Sequence, residues 1–485
     1  MSKEILNLKP QSVWKHFYDL TQIPRPTHHT EAVRKHLVEF GKGLGLETHE
    51  DKVGNVIIRK PATAGYENSP VIILQSHVDM VPQANSHINH NFQTDPIDAY
   101  IDGDKVTARD TTLGADNGIG VASIMAVLED KSLKHPGIEA LFTVDEEEGM
   151  DGAFGIEPGF LKGETLLNLD TEEEGDLCVG CAGGTDVTAT FQYKEEENEN
   201  PEDPTFKISL TGLKGGHSGC DIHLGRANAN KLLFRFLKEA VRNYEVRVAE
   251  VNGGSLRNAI PREAYAVVTV PEDLVEELEE LVTSFEEIFI EEYKDIEAKI
   301  SFKITPAETP KNLIPEEIQD NLINAVEACP NGVISNLTSF PGIVETSTNL
   351  ARVKTAEGLI EVAFLCRSSS DTRKEYICSA IESTFALAGA KVEFGGKYPG
   401  WQPDIHSKAL HIVGGIFEEL FQRKANVNVI HAGLECGIIL DNTPGLDIVS
   451  FGPTIVHPHS PDEHVLIDTV ERFYLLLTTT LERLK

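Results

Sequence analysis

The chain has 485 residues, 40% of them hydrophobic and 25% charged, with a formal net charge of −34. That length exceeds one ordinary core and predicts two domains, and the acidity argues against nucleic acid and anionic membrane surfaces as partners. There is no apolar run of the roughly 18 residues that a membrane span needs. The opening MSKEILNLKPQSVW has no apolar signal core and no Arg-rich amphipathic pattern, so the expected location is the cytoplasm.

Residues 30–46 carry helical periodicity, with Thr30 placed to cap the helix. Residues 55–60 read as a strand, and the short β-branched run 71–74 reads as a buried strand leading into Gln75-Ser76-His77. A helix is expected over 117–128, after Gly114. The strand at 138–144 is followed at once by Asp145-Glu146-Glu147-Glu148, and the strand at 166–169 ends on Asp170. This alternation predicts a three-layer α/β domain with a mixed, largely parallel sheet. The seven cysteines are scattered and odd in number, which argues for reduced thiols. Cys178 and Cys181 form a C-x-x-C with no second pair to complete a zinc site, and read as buried thiols beside a Gly183-Gly184 turn.

At 194–204 the texture changes to KEEENENPEDP, a solvated loop or linker near a domain boundary. Beyond it, strands at 206–210, 265–270 and 359–366 alternate with helices at 228–241, 272–292 and 374–388, an α+β pattern. The α/β texture returns near residue 395, with a helix at 408–421, a strand at 428–431, a short helix at 434–440, a strand at 447–451 and a last helix from Asp468. The expected organisation is one domain built from 1–188 and 395–485, interrupted by an inserted domain over 189–394.

Ligand sites in doubly wound sheets gather at the carboxyl ends of the strands. Here those ends carry His77 and Asp79, Glu146 and Glu147, and Asp170, with Asp116 before a helix and His459 in the late segment His457-Pro458-His459-Ser460-Pro461-Asp462-Glu463. Singly, each has an ordinary explanation as a helix cap, a solvated carboxylate or a structural histidine. Their joint placement at successive strand ends points to metal. Mixed His and carboxylate ligands suit zinc, or a harder ion such as manganese or cobalt. Two dications about 3.5–4 Å apart need a carboxylate between them, and Asp116 at a constrained turn fits that place. Asp79, two residues beyond His77 along a strand, shares its face and can accept the second ring N–H. Of the paired glutamates, one can bind metal while the other takes a proton from water.

These features resemble the metallopeptidase M20 family: His77-x-Asp79, Gly114-Ala115-Asp116-Asn117-Gly118, Glu146-Glu147 with Gly149, Asp170 and His459. The stretches LGADNGIG, GMDGAFG, CAGG, LKGGHSG, NAIPREA, YPGWQPD, HAGLECG and HSPDE resemble its aminoacyl-histidine dipeptidase branch along essentially the whole chain. The resemblance implies two divalent ions, zinc foremost with cobalt or manganese as alternatives. His77 and Asp170 would hold one ion, Glu147 and His459 the other, and Asp116 both. It implies Glu146 as general base and Asp79 as a catalytic residue behind His77. The inserted domain would be a lid and homodimerisation module. There, His217 would stabilise the oxyanion, from its own subunit or its partner, while Asn258 and Arg367 would bind substrate.

Some positions leave choices open. The four-carboxylate run allows ligand and base to shift by one residue, with Gly149-Met150-Asp151-Gly152 favouring Glu146 and Glu147. His457 competes with His459, and Asn117 stands where many relatives carry a second Asp. The implied reaction is hydrolysis of unblocked dipeptides, preferentially Xaa-His, by metal-activated water. The alternatives are deacylation of N-acyl amino acids on the same scaffold and a non-catalytic metal-dependent binding protein.

Overall fold

A computed structural model describes residues 3–484. It divides into two compact units: Met1–Gly180 with Trp401–Val429 and Leu434–Lys485, and Cys181–Gly400 with Ile430–Gly433.

The first unit is built on a mixed eight-stranded sheet. Its order is Glu47–Glu50, Val56–Lys60, Ile138–Thr143, Ile72–His77, Thr165–Asn168, Asp447–Ser450, Asp176–Cys181, Asn426–Ile430. The four strands from Ile138–Thr143 to Asp447–Ser450 run parallel, and antiparallel strands flank them. Ile72–His77 and Ile138–Thr143 are buried at every residue, so both sheet faces are covered, as in a three-layer arrangement. The helix Ala115–Glu129 is buried on all sides through Leu128, which its Ala, Gly and Ile-rich sequence permits. The helix expected from residue 30 is Glu31–Gly43; Thr30 occupies the cap position, but its side chain makes no capping hydrogen bond.

The second unit is an antiparallel nine-stranded sheet with helices Ala229–Asn243, Val275–Glu292, Glu316–Ala328 and Asp371–Leu387. Burial alternates along Thr205–Thr211 and Ala264–Thr269, the pattern of a sheet packed on one face. Phe206, Phe236, Phe289, Phe302 and Phe364 fill the core. Asn228 caps the first helix by accepting from the amides of Asn230 and Lys231. The acidic segment 194–204 lies inside this unit, where Glu196–Glu197 pairs with Asn312–Leu313.

One local expectation is corrected. Gly183-Gly184 is not a turn but the start of the strand Gly183–Gln192, in register with Ser368 and Arg367. The glycines serve close packing: a Cβ at Gly184 would stand 2.5 Å from the Tyr398 ring. Cys178 and Cys181 are both buried.

Candidate active site

The first unit gathers its polar groups at the carboxyl ends of the parallel strands. His77 ends the strand Ile72–His77 and is buried. Asp79 follows on the same side, with Oδ1 3.4 Å from His77 Nδ1. The Asp79 carboxylate also accepts from the amides of Glu146 at 3.1 Å and Glu147 at 3.3 Å, and from the Thr27 hydroxyl at 3.0 Å. One buried side chain thus ties the end of one strand to the loop after its neighbour. Arg25, also buried, donates to the carbonyls of Val78 at 2.9 Å and Asp79 at 3.1 Å, and to that of Gly114.

Asp116 sits where the chain enters its buried helix. Gly114 adopts a left-handed φ of 70°, and a Cβ there would meet Arg25 and the Met80 sulfur at 2.5 and 2.8 Å, so the turn requires glycine. Asp116 and Asn117 depart from helical geometry, and the peptide bond between them is cis. Glu463 clamps this turn from the far end of the sequence. Its Oε2 accepts from Leu113 N at 2.7 Å and Gly114 N at 3.0 Å, and its Oε1 from Ala115 N at 2.7 Å and Asp116 N at 3.3 Å. Asn117 donates to the Leu169 carbonyl at 2.9 Å and to Asp170 Oδ1, so it orients Asp170.

The result is a pair of clusters sharing one carboxylate. Asp116 Oδ1 lies 3.0 Å from His77 Nε2, which is 3.3 Å from Asp170 Oδ1. Asp116 Oδ2 lies 3.3 Å from His459 Nε2, which is 2.9 Å from Glu147 Oε2. Glu146 Oε2 stands 4.0 Å from His77 Nε2. The neighbouring acids of the run face elsewhere: Asp145 Oδ1 accepts from His28 N at 2.7 Å, and Glu148 pairs with His28 at 3.4 Å. His457 turns to His464, their ring centroids 6.2 Å apart.

The electrostatics describe a site that demands positive charge. Burial alone would lower the pKa of His77, yet Asp170, Asp116 and Asp79 lift it well above its ordinary value. Hydrogen bonding to Asp116 and Glu147 raises His459 to about 11. Burial would raise Asp116, but the two histidines hold it well below the usual carboxylate range. Burial raises Glu146, Glu147 and Asp170, with their carboxylate neighbours adding to it. Glu147 Oε1 is buried with no hydrogen-bond partner among the described residues. Ligand atoms of His77, Asp116 and Asp170, and of Asp116, Glu147 and His459, each lie within 4.8 Å of one another. These groups fit two divalent cations, which would replace the protons that the histidines hold.

The other sequence candidates lie in the second unit. His217 Nδ1 accepts from the amides of Gly219 at 3.3 Å and Cys220 at 3.0 Å, so the ring proton resides on Nε2. Burial and the Arg367 charge lower its pKa, keeping the ring a neutral Nε2–H donor. Arg367 is buried at the end of the strand Leu359–Ser368, with Nη2 3.5 Å from His217 Nε2 and Nη1 donating to the Tyr398 hydroxyl at 2.8 Å. Arg367 Nε has no hydrogen-bond partner among the described residues. Asn258 has an exposed side chain, and its carbonyl accepts from Ser218 N at 2.8 Å. His431, not anticipated, bonds Ser347 Oγ at 2.7 Å, and burial with the Arg367 charge lowers it to about 3. Sequence reasoning also missed Arg25 and Glu463. Glu463 stands within the HSPDE stretch, which carried a signal; nothing around Arg25 did.

Residues 208–297 match the family model described as a peptidase dimerisation domain. The cytosol non-specific dipeptidase of Escherichia coli (strain K12) is 45% identical over 481 residues, covering 99% of both chains. The crystal structure of aminoacylhistidine dipeptidase from Vibrio alginolyticus superposes with a TM-score of 0.93 at 46% identity, covering 99% of this chain and 98% of that one. The aminopeptidase PepT from Bacillus cereus shares the fold, with a TM-score of 0.59 at 15% identity over 98% of this chain and 99% of that one. With such identity running end to end, the chain belongs to the M20 metallopeptidase family, in its aminoacyl-histidine dipeptidase branch.

Proposed function

We propose that the protein is a two-metal dipeptidase that hydrolyses the peptide bond of unblocked dipeptides, with preference for Xaa-His. The observation that carries this reading is the Asp116 carboxylate, which offers one oxygen to the His77 cluster and the other to the His459 cluster. The names of the Escherichia coli and Vibrio relatives support a dipeptide substrate, and the Vibrio name supports histidine at its second position.

His77 and Asp170 would hold one ion, His459 and Glu147 the other, with Asp116 shared; zinc suits this donor set, and cobalt or manganese can replace it. Such a pair of cations polarises the scissile carbonyl and brings the pKa of water towards about 7. Glu146 takes the proton of the attacking water and passes it to the leaving amine. Burial beside Asp170, Glu435 and Glu147 gives its carboxyl the high proton affinity that this work needs. Asp79 fixes the orientation of His77 and, through the two amides it accepts, the direction of Glu146 and Glu147. His217 supplies a neutral N–H donor suited to an oxyanion. Arg367 and Asn258 bind substrate; the guanidinium suits a free carboxylate.

The description of the matched dimerisation domain supports a homodimer. No helix among the described residues is long and apolar enough to cross a membrane, and the Escherichia coli relative is named for the cytosol; both support a cytoplasmic location. The test is a substrate panel on metal-loaded protein, with free-amine and N-acetylated forms of the same dipeptides. Cleavage of free-amine dipeptides, fastest with histidine second, is expected; cleavage of the acetylated forms alone would overturn the reading.

A further inference from the structure

Beneath the metal-binding tips, a row of polar side chains crosses the four parallel strands. Glu435, at the start of the helix Glu435–Asn442, is buried. Its Oε2 accepts from Gln75 Nε2 and from the Thr143 hydroxyl, each at 2.7 Å. Gln75 Nε2 also lies 3.0 Å from Thr143 Oγ1, and Gln75 Oε1 accepts from Asn168 Nδ2. Asn168 Oδ1 accepts from the Ser450 hydroxyl, and from the amide of Asp170 at 3.3 Å. Ser450 continues to Thr171 at 2.7 Å. Gln75, Thr143, Asn168 and Ser450 are all buried, on four different strands.

This placement is costly unless it serves something. A buried polar group is tolerated only with its partners, so an apolar sheet interior needs no such row. Three members stand next to chemistry. Gln75 is two residues before His77, Thr143 three before Glu146, and Asn168 two before Asp170 and bonded to its amide.

We infer that Glu435 is a positioning residue for the metal centre: through Gln75, Thr143 and Asn168 it fixes the strand ends that carry His77, Glu146 and Asp170. This rests on the two-metal reading above. Partners behind metal ligands typically contribute about 10–100-fold to metal affinity or activity. Glu435→Ala leaves the Gln75 and Thr143 donors unmatched and frees those strand ends. Glu435→Gln keeps a carbonyl oxygen where Oε2 accepts both bonds, and rescues.

The experiment compares wild type, E435A, E435Q and T143V, the last removing only the Thr143 hydroxyl. Cobalt stoichiometry, cobalt affinity against a competing chelator, the visible absorption of the cobalt-loaded protein, kcat and KM are measured, with circular dichroism as a folding control. E435A is expected to bind cobalt 10–100-fold more weakly, with an altered cobalt spectrum and a fall in kcat rather than a rise in KM. E435Q should stay within a few-fold of wild type in cobalt affinity and keep its cobalt spectrum, and T143V should shift in the same direction as E435A by less. Wild-type affinity and spectrum in E435A would overturn the inference. Should E435A not fold, unchanged metal affinity and spectrum in T143V would overturn it too. A wild type that binds no cobalt would instead refute the two-metal reading itself.

Discussion

Glu463→Gln is the sharpest perturbation of the turn that carries Asp116. The carboxylate accepts four amides, two on each oxygen. The amide side chain of E463Q retains one acceptor oxygen and presents an NH2 group where the other stood. Two buried N–H donors then face a donor, at about 1–3 kcal/mol each, or roughly 2–6 kcal/mol in all. The change also removes the negative charge nearest in effect to buried Arg25, whose desolvation it offsets. Guanidinium denaturation of metal-free wild type and E463Q, followed by tryptophan fluorescence and circular dichroism, measures the loss. Chelator competition on the same pair should show weaker metal binding, because Asp116 is no longer held at its backbone. An E463Q protein within about 0.5 kcal/mol of wild type, the usual range for a surface substitution, with unchanged metal affinity would refute the clamp.

Other outcomes follow from the same geometry. E146Q should retain both metals by elemental analysis while kcat falls by about 10²–10⁴; loss of metal would assign Glu146 as a ligand instead. H217A should lower kcat with metal content intact, and unchanged kinetics would remove His217 from the reaction. His459 is held protonated at pH 8 in the metal-free chain, with a pKa of about 11, the neighbouring carboxylates raise His77 as well, and both rings must be neutral to bind metal. Metal loading at that pH should therefore release at least one proton per subunit, read by calorimetry in buffers of different ionisation enthalpy, and release of none would contradict the assignment. Because its folded pKa is raised, the stability His459 lends the metal-free chain is complete below its unfolded pKa of about 6.5 and is lost as pH rises through about 11; a metal-free melting temperature that rises over that interval would contradict it.

What the sequence made legible were features with a local signature. Short apolar runs ending on His77 and Asp170, and the run ahead of Glu146, mark strand ends because strand length and burial are written within a few residues. The strands Gly183–Gln192 and Val344–Ala356 escaped notice. Gly183, Gly184 and Asp186 in the first and Asn349 in the second carry weak strand propensity, and pairing with Leu359–Ser368 decides their conformation. The supports of the site escaped for a related reason. Glu463 meets Asp116 from 347 residues away, Glu435 meets Gln75 from 360 and Arg25 meets Gly114 from 89, through backbone groups or lone side chains that leave no spacing pattern. The neutral Nε2–H form of His217 depends on two amides only two and three residues on, but their direction is set by folding.

The central claim is a two-cation centre, shared through Asp116, that cleaves unblocked dipeptides. Its most direct test is titration of chelator-stripped protein with Zn²⁺ or Co²⁺ while following hydrolysis of β-alanyl-histidine and other free-amine dipeptides. No turnover is expected without metal, and activity should rise with added metal and saturate at two ions per chain. Full turnover in the stripped protein, saturation at one ion, or a fully loaded protein that cleaves no dipeptide would contradict it.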